Sequence, residues 1–331
     1  MAGEGVDGVR DRAAGALLGA AVGDALGAPY EHGSRALTDA PEMLGGGVGD
    51  RAPGQWSDGI ATMCVIAQVA ATGADLRSPE ALDAIADGFL EWFATDPTAV
   101  DPRTRAVLTG LQPGPGSAAR MRDRAAELHR AGRGPGAARA AERTGRSAGN
   151  ASLMRTAPVA LAHLGDPAAI VEAAHAVSAL THHDPVAGEA CALWCLTVDH
   201  AVRTGTRDLR VGLDRLDPQW AVYVEESEYL PPRSYARNNG WVVAALFGAW
   251  AAVEPASSFS EGVVTAVRGG GETGTVAAIA GALLGAGFGA SAVPDPWRRD
   301  VHGWPGLRGS DLSRLALDCA GKGAGGSAEP G

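Results

Sequence analysis

The residues of this chain that could do chemistry are oxygen donors set at helix ends. Three glycines, Gly269 to Gly271, form a bend before Glu272, Thr273 and Thr275, and a run of Ala, Val, Ile and Leu follows from Val276. Glu and Thr at a helix mouth satisfy its free N–H groups and suit its positive end. Side by side, Glu272 and Thr275 also offer the oxygen atoms that Mg²⁺ and similar hard cations take. Four further segments set polar groups beside apolar helix ends: Tyr30-Glu31, Trp56-Ser57-Asp58, Ser147 to Arg155, and Thr181-His182-His183-Asp184. Each has a plain structural reading as well. Glu31 can be a solvated acid, Ser57-Asp58 an N-cap with an acidic first turn, and His182 and His183 turn residues. Loops held on a rigid scaffold are nevertheless where sites are usually built.

The elements that carry these segments are read as helices throughout. Asp11 to Leu26 is small and apolar on nearly every side, as a buried helix is, and Pro29 stops it. Ser57 caps a helix through Val69, and another spans about Pro79 to Ala94. Further helices are expected over Asp166–Ala179, Pro185–Arg203 and Trp241–Val253, besides the one that follows Thr275. Period-2 alternation is hardly visible, so the expectation is an all-α, single-domain body over residues 9–320. A flexible segment, 1–8, is expected before it, and a disordered tail rich in Gly, Ser, Glu and Pro, 321–331, after it. Abundant Ala and Gly predict helices packed at close range.

Composition narrows the function. The 331 residues are 46% hydrophobic, ample for a core, and carry a net charge of −10, which argues against a nucleic-acid surface. The Arg-rich stretch 101–146 is the exception; it reads as a solvated helical surface or, alternatively, as contact with a phosphate-bearing ligand. The four cysteines show no Cys-x-x-Cys pattern and read as buried thiols. Met1–Arg12 does not resemble a signal peptide, and the longest apolar run, Val276 to Val293, fits a buried helix better than a membrane span. A cytoplasmic protein with no membrane partner is expected.

Taken in order and with their spacing, the segments resemble the ADP-ribosylglycohydrolase family. The matching pieces are Gly15-Ala-Leu-Leu-Gly-Ala-Ala-Val-Gly-Asp-Ala-Leu-Gly-Ala-Pro-Tyr-Glu31, Trp56-Ser-Asp58, Gly149-Asn-Ala-Ser-Leu-Met-Arg155, Leu180-Thr-His182 and Gly270-Gly-Glu-Thr-Gly-Thr-Val-Ala-Ala-Ile-Ala-Gly-Ala282. The resemblance implies an orthogonal helical bundle with a central pocket, two Mg²⁺ or Mn²⁺ ions, and cleavage of the glycosidic bond at the ribose C1″ of ADP-ribose. Breaking that bond builds positive charge on the sugar, and a carboxylate must position a water for attack. By the same resemblance Glu31 and Asp58 are the candidate catalytic acids. Ser147, Gly149, Asn150, His182, Gly270, Gly271 and Thr273 are candidate ligand contacts, with the Gly149-Asn150 backbone cradling the diphosphate.

The chain departs from that pattern where the metals belong. The family's Thr-Asp-Asp-Thr reads Ser57-Asp58-Gly59-Ile60 here, and its Gly-Gly-Asp-Thr-Asp-Thr reads Gly270-Gly271-Glu272-Thr273-Gly274-Thr275. The acid of the family's Asp-Ile/Val-Gly piece is lost, or shifted by two positions to Asp101. Glu31, Ser57, Asp58, Glu272 and Thr275 remain as candidate metal ligands, enough for at most one Mg²⁺ or Mn²⁺ ion, or for none, because each desolvated charge must be balanced. Three functions stay open. One is hydrolysis of an N- or O-ribosyl bond in a small ADP-ribose-, NAD- or nucleotide-derived substrate, with Glu31 or Asp58 as base. Another is a pseudoenzyme that binds such a ligand uncleaved, and the third is a structural or regulatory partner with a vestigial pocket.

Overall fold

The computed structural model describes residues 2–37, 39–132 and 147–323. Within them fifteen α-helices follow one another. They are α1 (Ala2–Gly27), α2 (Asp58–Ala70), α3 (Pro79–Phe93), α4 (Pro102–Leu108), α5 (Ser117–Ala131), α6 (Ala151–Met154), α7 (Ala157–Ala162), α8 (Pro167–Ser178), α9 (Pro185–Thr204), α10 (Gln219–Ser227), α11 (Val242–Val253), α12 (Phe259–Gly269), α13 (Thr273–Phe288), α14 (Asp295–Asp300) and α15 (Gly309–Gly323). The only named strands among the described residues, β1 (His302–Gly303) and β2 (Leu307–Arg308), form one short antiparallel pair. The expected all-α architecture is therefore what the chain adopts. α1 starts at Ala2, ahead of the helix start expected near Asp11, and α15 carries residues 321–323 of the segment expected to be disordered. Residues 324–331 and the arginines of 133–146 lie outside the described residues.

The centre of the molecule is the antiparallel pair α1–α13. Gly15, Gly19, Gly23 and Gly27 lie one turn apart on α1. A Cβ on each would collide with the backbone carbonyl of Gly285, Gly281, Ala277 and Thr273 respectively. The two backbones touch, and only glycine permits that approach. From Ala13 onward α1, like α13, is buried and almost wholly apolar around its circumference, so the two form the axis on which α9, α11, α12 and α15 pack. The register has a functional consequence. It brings the C-terminal end of α1, with Asp24 in its last turn and Glu31 just beyond, against the N-terminal end of α13, with Glu272 and Thr275. Two bonds lock this corner: Thr273 Oγ1 donates to Gly27 O at 2.8 Å and His32 N donates to Gly271 O at 2.8 Å.

The remaining segments are pinned to this corner. Val242 N donates to Ala148 O, holding residues 147–150 beside the start of α11. Trp56 donates its backbone N–H to His302 O and its indole N–H to Trp304 O, which anchors the loop carrying Arg51 and the entry to α2.

Candidate active site

At this corner lies a cavity of about 420 Å³. Glu31, Ser57, Asp58, Gly149, Asn150, Glu272 and Thr275 all line it, so seven of the residues singled out in the sequence converge from four separate segments. Arg51, Asp101, Met154, Arg237 and Trp241 line it as well. Ser147, His182, Gly270, Gly271 and Thr273 are not on its wall. Thr273 is buried with its hydroxyl spent on Gly27 O. The Gly270 carbonyl is held by Asn239 Nδ2, and Asn239 Oδ1 accepts Glu272 N–H. These glycines shape the bend, with φ values of 85° and 75° that favour glycine, and do not face the cavity.

His182 lies farthest from the role expected of it. It is fully buried beneath the cavity wall, where burial pushes its pKa well below the usual range. Arg155 Nη2 donates to Thr181 Oγ1 at 2.7 Å, and that hydroxyl lies 2.8 Å from His182 Nδ1. The Thr181 hydroxyl accepts from Arg155 and is free to give its proton to Nδ1; the Asp101 carboxylate facing Nε2 favours that tautomer, with the imidazole proton on Nε2. That N–H has no hydrogen-bond partner and points toward Asp101 Oδ2, 3.8 Å away. Asp101 in turn caps α4, its Oδ2 accepting Thr104 N–H, and donates its own backbone N–H to Asp58 Oδ2 at 2.7 Å. Arg155, Thr181, His182 and Asp101 thus form a buried support for Asp58. Asp101, the acid offered as the shifted counterpart of the family's, lies on the cavity wall.

Asp24 is the residue the sequence reading missed at the base of the site. It is 1% exposed, and Ser57 gives it two hydrogen bonds, from N at 2.5 Å and from Oγ at 2.8 Å. The Ser57 hydroxyl, expected to cap α2, gives its proton to Asp24 instead. A lone charge in an otherwise apolar helix was the available signal, because a buried carboxylate must find partners.

Electrostatics follow from this crowding. Burial raises the pKa of Asp24, Asp58 and Asp101. Burial likewise pushes Glu31 up to about 8, so its carboxyl holds a proton at neutral pH. The Arg51 guanidinium opposes the rise at Asp24, Glu31 and Asp58.

The two vanished carboxylates have left filled space. A Cβ on Gly274 would stand 2.6 Å from Glu31 Oε1 and 3.4 Å from Asp24 Oδ1. A Cβ on Gly59 would collide with the Met154 thioether. Glu272 leans away, its Oε2 accepting Asn150 Nδ2 at 2.7 Å and its Oε1 lying 2.7 Å from where a Cβ on Gly240 would stand. Among the described residues no three His, Cys, Asp or Glu side chains are grouped to hold a metal ion. The donors present do not fit the metal pair that the resemblance implied.

Comparison with known proteins agrees with the geometry. Residues 6–328 match the family described as ADP-ribosylglycohydrolase. An ADP-ribosylarginine hydrolase of Pseudomonas putida is 27% identical over 88% of this chain and 74% of its own length. The ADP-ribosyl-[dinitrogen reductase] glycohydrolase of Rhodospirillum rubrum is 28% identical over 87% of this chain and 90% of its own length. A solved structure described as an ADP-ribosylglycohydrolase-related protein complex superposes with a TM-score of 0.73 at 27% identity, covering 96% of this chain and 99% of that one. The helical seam, the corner it builds and these matches spanning nearly all of the sequence make this chain a member of the ADP-ribosylglycohydrolase family.

Proposed function

We propose that the chain is a hydrolase of an N- or O-ribosyl bond in an ADP-ribose-, NAD- or nucleotide-derived substrate. The observation that carries this reading is the convergence of Glu31, Asp58 and Glu272 on one cavity in a chain of this family. Cleavage of a ribosyl bond needs a carboxylate to orient water behind the sugar and a proton for the departing group. Asp58 suits the first task. Its Oδ2 is fixed by Asp101 N–H, and it sits on the first turn of α2. Glu31, protonated up to about pH 8, suits the second. Glu272, steadied by Asn150, is placed to meet the ribose hydroxyls, and Arg237 on the wall offers a charge-assisted donor to a diphosphate.

The substrate is a small nucleotide-like or ADP-ribosyl compound, and the compartment is the cytoplasm. All four cysteines are buried free thiols, in keeping with a reducing environment. No helix among the described residues is long and apolar enough to cross a membrane.

A second reading, binding without cleavage, draws on the glycines at 59 and 274, which leave fewer acids than the family pattern. Incubation with ADP-ribosyl-arginine and with NAD separates the two. Release of ADP-ribose that is lost in Asp58→Asn supports the hydrolase. A thermal shift without release supports the binder, and neither result would leave the proposal without a basis.

A further inference from the structure

We propose that the guanidinium of Arg51 is the resident cation of this site, taking over the charge that divalent ions supply in the family pattern, and that its free Nη1 is a donor to the ligand. Three observations meet here. First, the vacated acid positions are closed. Glu31 has settled against Gly274 and Met154 against Gly59, so the space is repacked and not left as a hole. Second, Arg51 stands among the acids that remain. It lines the main cavity with Glu31, Ser57 and Asp58, and it also lines an adjoining one of about 270 Å³ that shares Ser57 and Asp58. Third, its Nη1 is buried and donates to no protein atom. A buried guanidinium N–H without an acceptor is costly, and the cost is met when a ligand oxygen arrives.

The backbone holds Arg51 for this task. Gly46 N donates to Arg51 O at 2.7 Å and Arg51 N to Gly46 O at 3.3 Å, closing a turn whose glycines adopt left-handed φ. A guanidinium keeps its charge at any working pH and offers directed donors, where a metal would offer open coordination positions. One fixed positive charge also balances fewer acids than two divalent ions, in line with the loss of carboxylates at 59 and 274.

The inference rests on this cavity being the ribosyl site, yet its test does not need a substrate. Mn²⁺ alone is titrated calorimetrically into metal-stripped wild type, Arg51→Gln and Arg51→Lys. Removing the guanidinium takes away the positive charge that acts on Asp24, Glu31 and Asp58 and would repel a second cation, so Arg51→Gln is expected to bind Mn²⁺ at least about tenfold more tightly than wild type. Arg51→Lys keeps the charge and is expected to match wild type. Circular dichroism melts check that both variants fold; should Arg51→Gln fail to fold, Arg51→Ala takes its place. Saturable Mn²⁺ binding to the wild type that Arg51→Gln leaves unchanged would overturn the proposal, as would an Arg51→Lys that gains Mn²⁺ like Arg51→Gln. Because the probe is the metal alone, the outcome does not depend on whether the chain cleaves or only holds an ADP-ribosyl ligand.

Discussion

The α1–α13 seam and the mouth it opens into are built on the same two helices and follow different rules. Along the seam, Gly15, Gly19, Gly23 and Gly27 each face a backbone carbonyl, and nothing larger fits. At the mouth, Gly274 faces a carboxylate, Glu31, and Gly59 faces a flexible thioether, Met154. A backbone cannot yield, but a side chain can. The seam therefore fixes the fold and the relative placement of the two helix ends, while the mouth can exchange acids for neutral groups without disturbing what holds it. Function at this site can change without a change of scaffold.

That contrast can be broken at either region. Asp58→Asn should lower kcat by about a thousandfold, the range expected when a positioned base or acid is removed, and leave the melting temperature nearly unchanged. Steady-state kinetics beside a thermal melt check both halves. Gly23→Val should do the reverse. Its side chain meets the Ala277 carbonyl, and the cost of about 3 kcal/mol in overpacking should lower Tm by on the order of 10 °C. Should Gly23→Val keep its stability, the seam is looser than described.

Gly274→Asp lies between the two regimes. Its Cβ would stand 2.6 Å from Glu31 Oε1 and 3.4 Å from Asp24 Oδ1, and its carboxylate adds a third acid there, so it should cost about 2 kcal/mol in metal-free buffer, by denaturant titration. Glu31→Gln should act through pH. Unfolded, Glu31 loses its proton near 4.5; folded, it does so near 8. Between those values the folded state holds more protons. The stability it contributes is complete below about 4.5, declines as pH rises and is gone beyond about 8. Denaturant midpoints across that window should slope downward in the wild type and be flatter in Glu31→Gln. The smallest effect is expected from Asn150→Ala, which frees Glu272 Oε2 and should raise KM by about fivefold with little change in kcat.

Close helix packing was legible in the abundance of Ala and Gly. The pairing of α1 with α13 was not read, although Gly15, Gly19, Gly23 and Gly27, spaced by four in an apolar helix, carried the signal. Glu31, Ser57, Asp58, Glu272 and Thr275 were legible as polar residues at helix ends. Arg51 was not, because it lies in the irregular stretch 32–55, where no period says which side chain turns inward. His182, expected as a ligand contact, lies off the wall for a related reason. A polar residue next to a helix end reads as facing a ligand, yet its neighbours Thr181 and Arg155 pair with it internally and hold it beneath the wall. Asp101 was visible as an acid near the expected place, but only the fold could show its backbone N–H bound to Asp58.

The central claim is that the site meets its ligand with its own charges. Calorimetric binding of ADP-ribose to protein stripped with a chelator tests it most directly. The account predicts saturable binding whose Kd stays within about twofold when Mg²⁺ or Mn²⁺ is restored, a difference under about 0.5 kcal/mol. Binding that is absent from stripped protein and appears only when the metal returns would contradict it.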